Sequence, residues 1–88
     1  MSVIVLVDWE DSAGKVGWVF PHDCVAELSR CQTVGFLVDE NEKAICLAQN
    51  KTAPGDGSRP YGDLMSIPKA TILSKRVLCD KAYEGFPI

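Results

Sequence analysis

Short apolar runs alternate along this chain with polar stretches rich in glycine, proline and acids. The first run, residues 2–9, is dominated by valine and isoleucine and ends in turn-forming residues, so it predicts a β-strand rather than a helix. Because it is apolar at nearly every position, we expect both of its faces to be buried, one of them by a second subunit. Residues 10–17 predict a loop, and residues 18–20 return to β character.

Residues 21–30 predict one short helix. Val25 and Leu28 are three positions apart and Cys24 and Leu28 are four apart, which is the spacing of one helical face. Pro21 is suited to the first turn of a helix. An irregular connector is the alternative for this segment.

Two further apolar runs predict a hairpin. Residues 32–40 and 44–49 have strand character, and the polar turn at 39–43 joins them. Asn41 lies in this turn and tolerates the positive φ that tight hairpins need.

The longest stretch without a hydrophobic pattern is residues 50–63, with three glycines and two prolines. A loop this long in a small domain is more often functional than a simple connector. A short strand over 64–67, a single 3₁₀ turn over 68–70 and a last strand over 71–78 follow it.

Five short strands at regular spacing predict a mainly β fold, a small SH3-like five-stranded barrel with one short helix and one 3₁₀ turn. A 3₁₀ turn between the fourth and fifth strands is typical of such barrels. A small oligonucleotide-binding-type barrel and an α+β sheet are the alternatives. With 88 residues, the chain has room for one domain, predicted at 1–80, and a carboxy-terminal tail at 81–88.

The charges are unevenly distributed around a net charge of −3. Residues 1–42 hold eight acids and two bases, whereas residues 43–88 hold four acids and seven bases. The acidic balance argues against nucleic acid as a partner. The apolar run at 3–7 is too short to cross a membrane and no basic segment precedes it, so we expect a cytoplasmic protein without a membrane partner.

Catalytic and metal-binding patterns are weak. No two of the four cysteines form a C-x-x-C pair, so we expect reduced thiols and no metal site. The one histidine, His22, stands two residues from Cys24 and forms the only candidate nucleophile–base pair. Asp8 and Glu10 are the neatest pair of carboxylates, but nothing in the sequence places either in an apolar pocket. We therefore expect no enzyme activity and no cofactor.

The glycine-rich loop has the composition of an anion site. Its backbone N–H groups can approach an anion, Arg59 can bind phosphate with two hydrogen bonds, and Lys51 precedes it. Tyr61 could stack on a base. The sequence predicts ligand contacts at Lys51, Arg59, Tyr61 and Asp63, with an ordinary flexible hairpin loop as the alternative.

Aromatic residues cluster near the amino-terminal loop and suggest a protein contact, because aromatic side chains are enriched at interfaces. Trp9 is flanked by Asp8 and Glu10, so we expect its side chain to project differently from its neighbours. We predict Trp9 and Trp18 as partner contacts. For Trp18 and Phe20 the alternative is packing in the core.

Several short motifs occur in a fixed order: Asp11-Ser12 before Gly17-Trp18, VGFLV at 34–38, ICLAQ at 45–49, YGD at 61–63 and IPKATI at 67–72. With these motifs, residues 8–78 resemble a recurrent family of small phage and prophage proteins of unknown function. The resemblance implies a phage or bacterial origin, a cytosolic location and a compact barrel, and it names neither a ligand nor a catalytic residue.

Together these features predict a non-enzymatic phage or prophage accessory protein that acts as a binding module. We expect a homo-oligomer that antagonises host defence by capturing a host protein or a small anionic ligand such as a nucleotide-like signal. The alternative is a structural or scaffolding module of a virion or replication complex.

Overall fold

A computed structural model describes residues 2–52 and 60–82, and it is mainly β. The five strands are β1 Ser2–Ser12, β2 Leu28–Glu40, β3 Ala44–Lys51, β4 Tyr61–Pro68 and β5 Ile72–Ala82. They form one antiparallel sheet in the order β4-β3-β2-β1-β5, with β4 and β5 at its edges. The expected β class and the number of strands are confirmed. The sheet is not closed into a barrel.

The core is built from alternate residues of β1 and from residues of β3 and β4. Its buried side chains are Val5, Val7, Trp9, Ile45, Leu47 and Ile67. Alternation follows from the strand geometry, in which every second side chain points to the same face. Because β1 is separated from β3 and β4 by β2, the sheet must curl for these residues to meet.

Gly35, in the middle of β2, lies very close to the backbone of β3. A Cβ at Gly35 would lie 2.8 Å from the backbone oxygen of Ala48 on β3. Only a residue without a side chain allows the two backbones to approach so closely.

The expected helix over 21–30 is wrong. Pro21–Asp23 form a single 3₁₀ turn, and Leu28 begins β2, where it pairs with Ser12 of β1. Val25 and Leu28 are both exposed, so the spacing that suggested a helical face has no packing partner to stabilise it. The β character expected at 18–20 is also absent, because these residues belong to the loop between β1 and β2.

Asn41 serves the turn between β2 and β3 through its side chain and not through a positive φ. Its Oδ1 accepts hydrogen bonds from the backbone N–H groups of Lys43 and Ala44, at 2.9 Å each. Among the residues described, Asp63 is the only one other than glycine with a positive φ.

The predicted loop over 50–63 is shorter than expected, because strands β3 and β4 extend into it from both sides. Thr52 donates a backbone hydrogen bond to Pro60 at 3.1 Å, and residues 53–59 lie outside the described residues. The 3₁₀ turn predicted at 68–70 lies at Lys69–Thr71. Strand β5 includes the first two residues of the predicted tail, and the rest of the tail is also outside the described part.

Candidate functional site

The loop between β1 and β2, residues 13–27, carries large apolar side chains that point into solvent. Val16 and Trp18 are fully exposed, and Phe20 is 74% exposed. Such side chains normally lie inside a folded protein, and a group of them on the surface marks an interaction site. We call Val16, Trp18 and Phe20 the exposed loop cluster.

A glycine and a 3₁₀ turn set the backbone conformation on either side of Trp18 and Phe20. Gly17 has φ +97°, a conformation that favours glycine, and it lies at a bend immediately before Trp18. Pro21 then opens the 3₁₀ turn, in which Asp23 donates a backbone hydrogen bond to Phe20 at 2.8 Å. A shallow hollow of about 250 Å³ lies along Trp18, Val19, Phe20 and Pro21.

A groove of about 270 Å³ lies beside this loop, between the end of β1, the start of β2 and the second 3₁₀ turn. Its lining combines apolar side chains with two carboxylates and contains no basic residue. The lining residues are Trp9, Glu10, Asp11, Ser12, Leu28, Pro68, Ala70 and Thr71.

The chain on the β1 side of the groove is acidic, whereas Lys69 lies in the 3₁₀ turn of the opposite wall and pairs with Glu40. Residues 8–28 contain five acids and a single lysine. The nearby Arg30 directs its Nε to Asp8 Oδ1 at 3.4 Å. Asp11 Oδ1 accepts the backbone N–H of Ser12 at 2.7 Å. The carboxylates of the groove therefore have no cationic partner among the described residues.

Glu40 holds the second 3₁₀ turn, and with it one wall of the groove, against the end of β2. Its Oε2 lies 2.7 Å from Lys69 Nζ and 3.8 Å from Lys75 Nζ. The hydrogen bond from Lys69 and the positive charges of Lys75 and Lys69 hold the pKa of Glu40 below its usual value. These residues are far apart in the sequence, and no local pattern in it indicates the cluster.

Trp9 does project differently from its neighbours Asp8 and Glu10, but its side chain points into the core and not toward solvent. It alternates with Val5 and Val7 on the buried side of β1 and is only 8% exposed. Its indole Nε1–H donates to Thr33 Oγ1 at 3.0 Å. For Trp18 and Phe20 the alternative was packing in the core. Both side chains are instead exposed.

The predicted anion-binding residues are only partly described. Lys51 and Tyr61 are register partners, and Lys51 Nζ lies 5.8 Å from the centre of the Tyr61 ring. Asp63 Oδ2 accepts a hydrogen bond from Asn50 Nδ2 at 2.6 Å. Arg59 lies outside the described residues. A nucleotide or anion site at these positions stays a prediction.

The candidate pair of His22 and Cys24 is not assembled as a nucleophile and its base. The His22 ring stacks on Phe20, with centroids 6.0 Å apart, and its Nε2 lies 3.3 Å from Asp23 Oδ2. The Cys24 thiol is directed to the backbone oxygen of Phe20, at 3.5 Å. All four cysteines are free thiols.

The described part of the chain lacks two features, a metal-binding cluster and a membrane-spanning helix. No group of three or more histidine, cysteine, aspartate or glutamate side chains there could hold a metal ion. None of its helices is both long and apolar enough to cross a membrane.

Comparison with known proteins identified no matching family model, no matching curated protein and no matching solved structure.

Proposed function

We propose that this chain is a non-catalytic module that binds another protein through the exposed loop cluster. The observation that carries the proposal is the full exposure of Trp18, between the exposed side chains of Val16 and Phe20. Tryptophan and phenylalanine each bury roughly 150–250 Å² in an interface. At about 25 cal/mol per Å², covering these two rings supplies several kcal/mol of binding free energy.

The fold is consistent with this proposal but does not by itself imply a function. The strand order β4-β3-β2-β1-β5 and the 3₁₀ turn between β4 and β5 support a fold related to SH3-like barrels, with the sheet open in this chain. Because such barrels carry many unrelated functions, the assignment rests on the loop.

The sequence resemblance supplies the biological setting of the proposal. A phage accessory protein in the host cytoplasm would use this surface to capture a host protein and so antagonise defence. A scaffolding module of a virion or replication complex would use the same surface on a phage protein. Self-association and capture of a small anionic ligand stay separate predictions.

Site-specific photo-crosslinking tests the proposal. A photoreactive phenylalanine analogue replaces Trp18 in one variant and Leu64, an exposed residue of β4, in the control variant. Each variant is expressed in the native host and irradiated. We expect one dominant adduct with a second protein from position 18, lost when Phe20→Ala is added, and no such adduct from position 64.

Three outcomes would contradict the proposal. The same adducts could form from both positions, no adduct could form from position 18, or the adduct could consist of two copies of this chain. Mass spectrometry of the adduct identifies the partner and separates a host protein from a phage protein.

A further inference from the structure

We infer that the groove between Trp9 and the second 3₁₀ turn binds an arginine or lysine side chain from an extended segment of the partner protein. The inference rests on the proposed function, because it names the chemistry of the partner that the exposed loop cluster contacts. The groove lining includes Ser12 and Leu28, the residues at the two ends of the loop that carries this cluster.

The apolar lining suits the aliphatic stem of a long basic side chain. The polar atom of Trp9 is already satisfied by Thr33, so the indole offers the groove only its ring. Leu28 is 61% exposed, and Pro68 and Ala70 have no polar side-chain atoms. Arginine and lysine bury their methylene groups along such a surface while their charged ends stay in water.

The negative charge of the groove favours a positively charged ligand. Glu10 and Asp11 lie at the lining, and no lysine or arginine is among the lining residues. In the part of the chain that is described, Asp11 Oδ2 has no hydrogen-bond or ion-pair partner, and so it can accept a bond from a cationic side chain. An acidic segment would be repelled by the same carboxylates.

The occupant is therefore a basic segment with apolar neighbours, and not a second copy of this chain bound through its acidic amino-terminal half. Charge complementarity separates these two occupants, since residues 1–42 of a second copy would bring eight more acids to an acidic surface.

A peptide selection with the full chain tests the inference. Random twelve-residue peptides displayed on phage are selected on the immobilised protein, and the enriched sequences are synthesised and titrated by fluorescence anisotropy. We expect an arginine or lysine next to apolar residues. Replacing that residue with glutamine should weaken the Kd about tenfold, as expected for a charge-assisted hydrogen bond.

Matched protein variants locate the contact. Asp11→Asn keeps the shape of the side chain and should weaken binding about tenfold, whereas Asp39→Asn, an exposed acid at the far end of β2, should leave the Kd unchanged. Binding should also shift the NMR signals of the Trp9 indole N–H and the Ala70 amide. Unchanged thermal unfolding of Asp11→Asn excludes a folding defect.

The inference is overturned if no peptide is enriched, if the enriched peptides lack a cationic residue, or if Asp11→Asn binds as tightly as the parent chain. NMR shifts that increase with protein concentration alone would show a second copy in the groove and would also overturn it. Crosslinking from position 18 to a partner can persist in each of these cases. The absence of cation binding in the groove is therefore distinguishable from the absence of a protein partner at the exposed loop cluster.

Discussion

The indole Nε1–H of Trp9 on β1 donates to the hydroxyl oxygen of Thr33 on β2, 3.0 Å away. In the strand register Thr33 pairs with Val7, so this bond crosses diagonally between the two strands on the core side of the sheet. It satisfies the one polar atom of the largest core side chain, and it leaves only the apolar ring of Trp9 facing the groove.

Trp9 should be far more important for stability than Trp18. We expect Trp9→Ala to lower the free energy of unfolding by about 3–5 kcal/mol, because it leaves a cavity in the core. Trp18→Ala, at a fully exposed site, should change it by less than about 0.5 kcal/mol. Urea unfolding followed by circular dichroism measures both, and similar losses in the two variants would contradict the assignment of burial.

Gly35 should not tolerate even one methyl group. In Gly35→Ala the new Cβ would lie 2.8 Å from the Ala48 oxygen and 3.2 Å from Leu47 Cβ, so we expect a loss of about 1–3 kcal/mol. Gly14→Ala is the matched control, since nothing lies within 4 Å of its added Cβ. Equal unfolding midpoints for the two variants would show that β3 does not approach β2 this closely.

The side chain of Asn41 should stabilise the turn between β2 and β3. Asn41→Ala removes the acceptor for two backbone N–H groups, and we expect it to cost about 1 kcal/mol. Asn41→Asp keeps an acceptor oxygen at the same position and should lose less. Thermal unfolding of the three proteins at neutral pH provides the test, and a loss in Asn41→Asp as large as in Asn41→Ala would count against the role of Oδ1.

Glu40 should make part of the stability depend on pH. Its pKa is lowered in the folded protein, first by the hydrogen bond from Lys69. The stabilising contribution is therefore complete above the pKa of the unfolded chain and is lost as the pH falls through the lowered folded value. In Glu40→Gln this contribution is absent, so the variant should lose less stability than the parent chain on acidification.

The matched control for this effect is Glu42→Gln, which removes a nearby carboxylate that forms no ion pair within the described residues. Unfolding midpoints measured from neutral to acidic pH at low salt compare the three proteins. High salt should reduce the effect of Glu40, since its ion pairs are exposed and screened. Identical pH profiles for Glu40→Gln and the parent chain would refute the coupling.

Local sequence patterns accounted for most of the strands but failed at the segment before β2. The valine-rich run at the start of the chain and the hairpin of β2 and β3 follow from β propensity and turn chemistry, which act between near neighbours. Val25 and Leu28 have the spacing of residues on one helical face, although neither lies in a helix. Their backbone instead leads into pairing with β1, a partner that lies many residues earlier in the chain.

For the candidate site, the sequence by itself established that two tryptophans flank an acidic, glycine-containing loop. Only the tertiary structure decided that Trp9 is buried and Trp18 is exposed, and that the Glu40–Lys69 pair holds one wall of a groove. The physical reason is that burial and ion pairing depend on which strands lie opposite one another. That arrangement is set by the curl of the whole sheet and not by the residues on either side of a given position.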